Sequence, residues 1–158
     1  MVALAVISIL TAVSIKPING ILDRIKLQNT ANGIKQILVT ARSRAVSTSN
    51  LRVGVVFNIN ASSTINDSIF TFLDDIPAGM KKGDDKFTAG VDKLYGTYFV
   101  VEKKNKIKTV IPPGYPSTIV FRGDASANGS ARLILTLGQL EDTVSVLAST
   151  GKVKVKVK

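Results

Sequence analysis

The residues of this chain best placed for chemistry are the lysines of its closing segment, Gly151-Lys152-Val153-Lys154-Val155-Lys156-Val157-Lys158. In an extended strand Lys152, Lys154, Lys156 and Lys158 share one face while Val153, Val155 and Val157 share the other, so ammonium groups recur about every 6.6 Å. Such a row can track a polyanion. If all four lysines meet phosphates of duplex DNA, binding should fall with salt at a slope of about −3.6. The competing reading is a solvated edge strand whose lysines discourage edge-to-edge pairing. No aromatic residue interleaves the lysines, which argues against base stacking.

A second set is acidic: Asp74, Asp75, Asp84, Asp85 and Asp92, with Gly79, Gly83 and Gly90 among them. Hard carboxylate ligands on a flexible loop are the chemistry of Ca²⁺. The spacing is not that of an EF-hand, and Lys81, Lys82 and Lys86 sit among the carboxylates, so the better reading is a solvated loop. The segment Glu102-Lys103-Lys104-Asn105-Lys106-Ile107-Lys108 sets four lysines against one glutamate. It reads as an extension of a basic surface toward phosphate or lipid headgroups, or as a solvated turn.

What is missing narrows the classes. The 158 residues include no His and no Cys, which removes the commonest general base, the usual transition-metal ligands and thiolate chemistry. Ordinary hydrolase triads and zinc enzymes are excluded, and no carboxylate spacing suggests another catalyst. We expect no enzyme and no resident cofactor, calcium at the Asp74–Asp92 loop being the one exception considered. The absence of Cys decides nothing about compartment. With 21 Lys and Arg against 11 Asp and Glu, the net charge is +10, which favours anionic partners.

These residues need elements to position them. Residues 1–15, MVALAVISILTAVSI, carry no charge, no Gly and no Pro. Val2, Leu4, Val6, Ile7, Ile9, Leu10 and Val13 make this stretch an apolar helix for a membrane or a filament core. At 1.5 Å per residue it spans roughly 22 Å, several residues short of the about 20 that cross a bilayer. A cleaved signal peptide fits poorly, because no basic residue precedes Val2 and no small-residue exit site follows. Over residues 16–48 the apolar positions keep helical spacing: Ile18, Ile21, Leu22 and Ile25, then Leu27, Ala31, Ile34, Leu38, Ala41 and Ala45. The pattern predicts one long helix over about 1–47, with a kink near Pro17 to Gly20 and a bend or close contact at Gly33.

From residue 49 the period changes to two. Strands are predicted over 51–59, 68–73, 96–101, 107–111, 117–122, 131–137, 143–148 and 152–157, with a long loop over 74–92. About 110 residues, 49–158, suffice for one core. A helix followed by strands separated by Gly, Asn or Pro gives an α+β architecture, with antiparallel sheet laid over the second part of the helix.

Three passages together resemble the type IV pilin-like superfamily, and within it the GspH/FimT branch of pseudopilins and minor pilins. MVALAVISILTAVSIKPI is similar to the middle and end of the pilin N-terminal segment. LQNTANGIKQILVTARSRAVSTSNLRVGVVF resembles the branch's passage from helix to first strand. TIVFRGDASANGSARLILTL, followed by VSVLASTGKVKV, resembles its closing strands. The resemblance covers most of the chain, with the middle, about 60–115, matching only in outline. It departs at Lys16, where the family is usually apolar, and in the tail, where Lys replaces Arg and loses bidentate phosphate contacts. The family's opening Phe and Glu are absent, so the resemblance implies about six further mature residues and a leader upstream.

The resemblance implies a minor pilin or pseudopilin that assembles with other such subunits through its N-terminal helix. It would wait in the bacterial inner membrane as a single-pass protein with a periplasmic domain, then enter a type IV pilus or a type II secretion pseudopilus. The alternative within the branch is a minor pilin that binds DNA through the basic tail for uptake. A third reading is an unrelated single-pass protein with a cytoplasmic basic domain, which Lys16, Arg24 and Lys26 favour by the positive-inside rule.

Overall fold

The computed structural model describes residues 2–48, 51–62, 64–74, 83–96, 98–103 and 106–158, with side chains from Asn19 onward. A single helix, α1 (Val2–Ser47), stays helical across Pro17 to Gly20. Its second part carries the core stripe. Leu27, Ala31, Ile34, Leu38, Ala41 and Ala45 are all buried, none more than 2% exposed, as residues recurring every three or four positions must be when one face is covered.

Among the described residues nine strands follow: β1 (Val53–Asn58), β2 (Asp67–Leu73), β3 (Lys93–Leu94), β4 (Phe99–Val101), β5 (Lys108–Val110), β6 (Thr118–Phe121), β7 (Ala131–Leu137), β8 (Leu140–Val146) and β9 (Val153–Val157). They form two antiparallel sheets where one was anticipated. The first is ordered β3-β2-β1-β6, with β4 also pairing β2. The second is ordered β5-β7-β8-β9. Register is set by the inward residues. Val53 faces Leu73 and Phe121, and Val144 faces both Leu133 and Val155. In β7 Ala131, Leu133, Leu135 and Leu137 are buried and alternate with more accessible residues, the period-two pattern of a half-buried strand. The helix packs across both sheets, chiefly on β8, β9 and β1.

Two elements differ from the sequence reading for identifiable reasons. β8 begins at Leu140, three residues before the expected start, because Gly138 takes φ 61° and lets Leu137 pair with Leu140 across a two-residue turn. The described part of the expected 74–92 loop is not simply solvated. Phe87 packs edge-on against Phe70 and Phe72, with ring centroids 5.2 and 5.3 Å away, and Tyr98 stacks beside Phe70. These rings cover the face of the first sheet opposite the helix. Gly54 permits it, since a Cβ there would lie 2.1 Å from the Phe72 ring.

Candidate functional site

The helix presents two apolar sides. The stripe from Leu27 to Ala45 is covered by the sheets, while Ile21, Leu22 and Ile25, on the opposite side at about 100° per residue, are 61%, 47% and 47% exposed. Three large aliphatic residues within two turns, all uncovered, make a contiguous apolar surface on a rod that leads out of the domain. Val2, Leu4, Val6, Ile7, Ile9, Leu10 and Val13 lie further along the same helix, and their side chains fall outside those described. Among the described residues no helix is long and apolar enough to cross a membrane.

Arg24 stands at the junction. Its Nη1 lies 3.8 Å from Asp142 Oδ1 and also donates to the backbone carbonyl of Lys158. Asp142 is fully buried on the inner face of β8, and neither of its carboxylate oxygens accepts a hydrogen bond. The carboxylate therefore depends on the Arg24 charge. The arginine thereby holds the helix to β8 and to the end of β9. Nothing in the sequence marked this pair, because Arg24 and Asp142 lie far apart in the chain and each looks like a solvated charge.

β9 is the outer strand of the second sheet, paired on one side to β8. Val153 and Val155 pack against the core from this strand, while Lys152, Lys154 and Lys156 are exposed. The expected division into a valine face and a lysine face is thus present over residues 152–156, whereas Val157 is 45% exposed. Lys158 is also exposed, and its Nζ pairs with Glu141 Oε1 at 3.1 Å, so three of the four tail lysines stand without that neutralisation.

The acidic segment is arranged for structure. Arg52 Nη1 lies 2.7 Å from Asp85 and 3.6 Å from Asp74, and Arg122 Nη2 lies 3.0 Å from Asp85. Asp84 accepts from the Lys86 N–H, and Asp92 from the Thr88 N–H at 2.6 Å. Burial pushes the Asp74 carboxyl above the usual range, and the Asp92 and Asp84 charges act the same way, against the Asp85 N–H and Arg52. Two arginines therefore strap the segment over the sheet. Among the described residues no group of three metal-ligating side chains comes together; Asp75 of the possible calcium set lies outside them.

The Lys103–Lys108 segment is also corrected in part. Lys103 does not extend a basic surface: its Nζ sits 3.1 Å from the fully buried Asp67 and donates to the carbonyls of Asn60 and Ser62. Lys106 and Lys108 are exposed, and Lys104 lies outside the described residues.

Gly33 marks a close contact rather than a bend. A Cβ there would fall 2.8 Å from the Phe99 ring, on the wall of a groove of about 340 Å³ between α1 and the Tyr95–Phe99 segment.

No family model matches the chain, and no curated protein matches it in sequence. A solved structure similar to it is the crystal structure of the type IV minor pilin FimU from Pseudomonas aeruginosa strain PAO1. The likeness has a TM-score of 0.55, covers 82% of this chain and 92% of that one, and is accompanied by 11% identity. With one long N-terminal helix packed across antiparallel sheets, the chain has a pilin-like α+β fold.

Proposed function

We propose that the chain is a structural subunit of a pilin-like filament, a minor pilin or pseudopilin, which joins its neighbours through the N-terminal part of α1. The observation that carries this reading is the contrast between two sides of one uninterrupted helix: the stripe from Leu27 to Ala45 is sealed under the sheets, and the side bearing Ile21, Leu22 and Ile25 is apolar and open. An apolar surface of that kind is stabilised by burial against another chain. A rigid helical continuation carries it outward without a flexible linker. The fold shared with a type IV minor pilin supports the same reading, as does the passage-by-passage resemblance to the GspH/FimT branch. On this reading the subunit resides in the bacterial inner membrane with its domain in the periplasm until it is drawn into a pilus or a type II secretion pseudopilus.

The chain has no native Cys, so the test is direct. Single Cys substitutions at Ile21, Leu22 and Ile25 in the full-length protein of the native cell should give filament-dependent cross-links. Substitutions at exposed Ser149 or Thr150 should give none. Cross-linking that is equal at both sets of sites would overturn the assembly reading.

A second reading rests on Lys152, Lys154 and Lys156, exposed on an edge strand: a minor pilin that binds DNA. With Lys158 engaged by Glu141, the expected salt slope is about −2.7, for three phosphate contacts. Changing these lysines to Gln should abolish binding. Unchanged weak binding would leave β9 as a protected edge.

A further inference from the structure

A groove of about 670 Å³ opens between the chain leaving β1 (Ile59, Asn60, Ala61) and the edge strand β5 with its flanks (Ile107–Ile111). That size lies within the range of built ligand sites, about 300–1,000 Å³. Three observations give it a character. First, β5 is the last strand of its sheet, paired only to β7. Among the described residues no further backbone hydrogen bond reaches Lys108–Val110. Ile107 to Ile111 is about 13–16 Å of strand edge, enough to pair a short extended peptide.

Second, Thr109 lines the groove at 4% exposure, and among the described residues its Oγ1 has no hydrogen-bond partner. A buried hydroxyl without a partner costs free energy, and a ligand group that met it would recover that cost. The surrounding wall is apolar, formed by Ile59, Ile107 and Ile111. Third, the exposed lysines at this rim, Lys106 and Lys108, carry charge that nothing described neutralises. Lys103, the third lysine at the groove, is already committed to Asp67.

We infer that this groove takes an extended acidic segment of a partner protein, added as a strand to the free edge of β5. Backbone hydrogen bonds to the edge supply affinity and alternate side chains supply specificity. Side chains opposite Lys108 lie on its face of the sheet and are acidic. The side chain opposite Thr109 points into the groove and is small, with Thr best able to meet the unpartnered hydroxyl. The inference stands on the globular domain alone and does not depend on how α1 is used.

The probe is a blocked peptide of alternating Thr and Glu, about eight residues long, titrated into the isotope-labelled full-length chain and followed by amide NMR. The expected result is saturable shifts confined to residues around Ile59–Ala61 and Ile107–Ile111. Affinity should be at least roughly tenfold higher than for the Thr-Lys counterpart, a difference of about 1.4 kcal/mol. The double variant Lys106→Glu with Lys108→Glu leaves the core untouched and should reverse that preference. Shifts centred on Lys152–Lys158 instead, no saturation, or equal binding of both peptides would each overturn the proposal.

Discussion

The two parts of the helix are alike in sequence and opposite in fate. Ile21, Leu22 and Ile25 keep steps of three and four like Leu27, Ile34 and Leu38, yet the first group is about half exposed and the second is sealed. At about 100° per residue the two sets lie on opposite sides of the helix. The sheets cover one side only, and Arg24 on that side still reaches Asp142 of β8. Charged residues divide in the same way. Lys103 and Lys154 look interchangeable in sequence, but one is locked against a buried aspartate and the other is free in solvent.

The sharpest way to break the comparison is within the sealed part. Leu38→Ala should cost about 2–5 kcal/mol in denaturant unfolding, since it empties volume beneath both sheets. A loss below about 1 kcal/mol would mean the stripe is not the core. Arg24→Met should cost about 3 kcal/mol, because Asp142 would remain buried with no compensating charge. The double variant Arg24→Met with Asp142→Leu should recover most of it.

A smaller effect is expected at Asp74. Burial raises its pKa in the folded chain, so the folded state holds the proton more tightly than the unfolded one. The stability it contributes therefore declines as pH rises from about 3.9 through the folded value, and returns on acidification. Asp74→Asn should remove that component, read as a flatter dependence of Tm on pH above about 4. An unchanged slope would place the titration elsewhere. The smallest effect belongs to the open part: Leu22→Ser should change the stability of the isolated chain by less than about 0.5 kcal/mol while abolishing filament cross-linking. A large loss of stability there would show that the exposed stripe has a partner within the chain.

Much of the strand order was legible because each buried strand announces itself. Ala131–Leu137 was placed without error by its alternation, and the tail's Val/Lys alternation correctly gave two faces. Boundaries failed where a single backbone angle decided them, as at Gly138. Roles failed where a charge found a distant partner. The acidic segment reads as a solvated loop, because carboxylate spacing says nothing about Arg52 and Arg122 reaching Asp85. Of the β5 groove, only the lysine cluster at its rim and the strand over 107–111 were legible; its other wall comes from a segment some fifty residues earlier that shares no motif with it.

The sequence by itself determined the α+β class, the stripe from Leu27 to Ala45, the exclusion of His- and Cys-based chemistry and the lysine face of β9, because these depend on local period and composition. Only the tertiary structure decided that the strands form two sheets, that Arg24 and Lys103 meet buried carboxylates, and that Ile21, Leu22 and Ile25 remain open. Those outcomes depend on which surfaces meet, and burial is a property of pairs of surfaces rather than of any one segment.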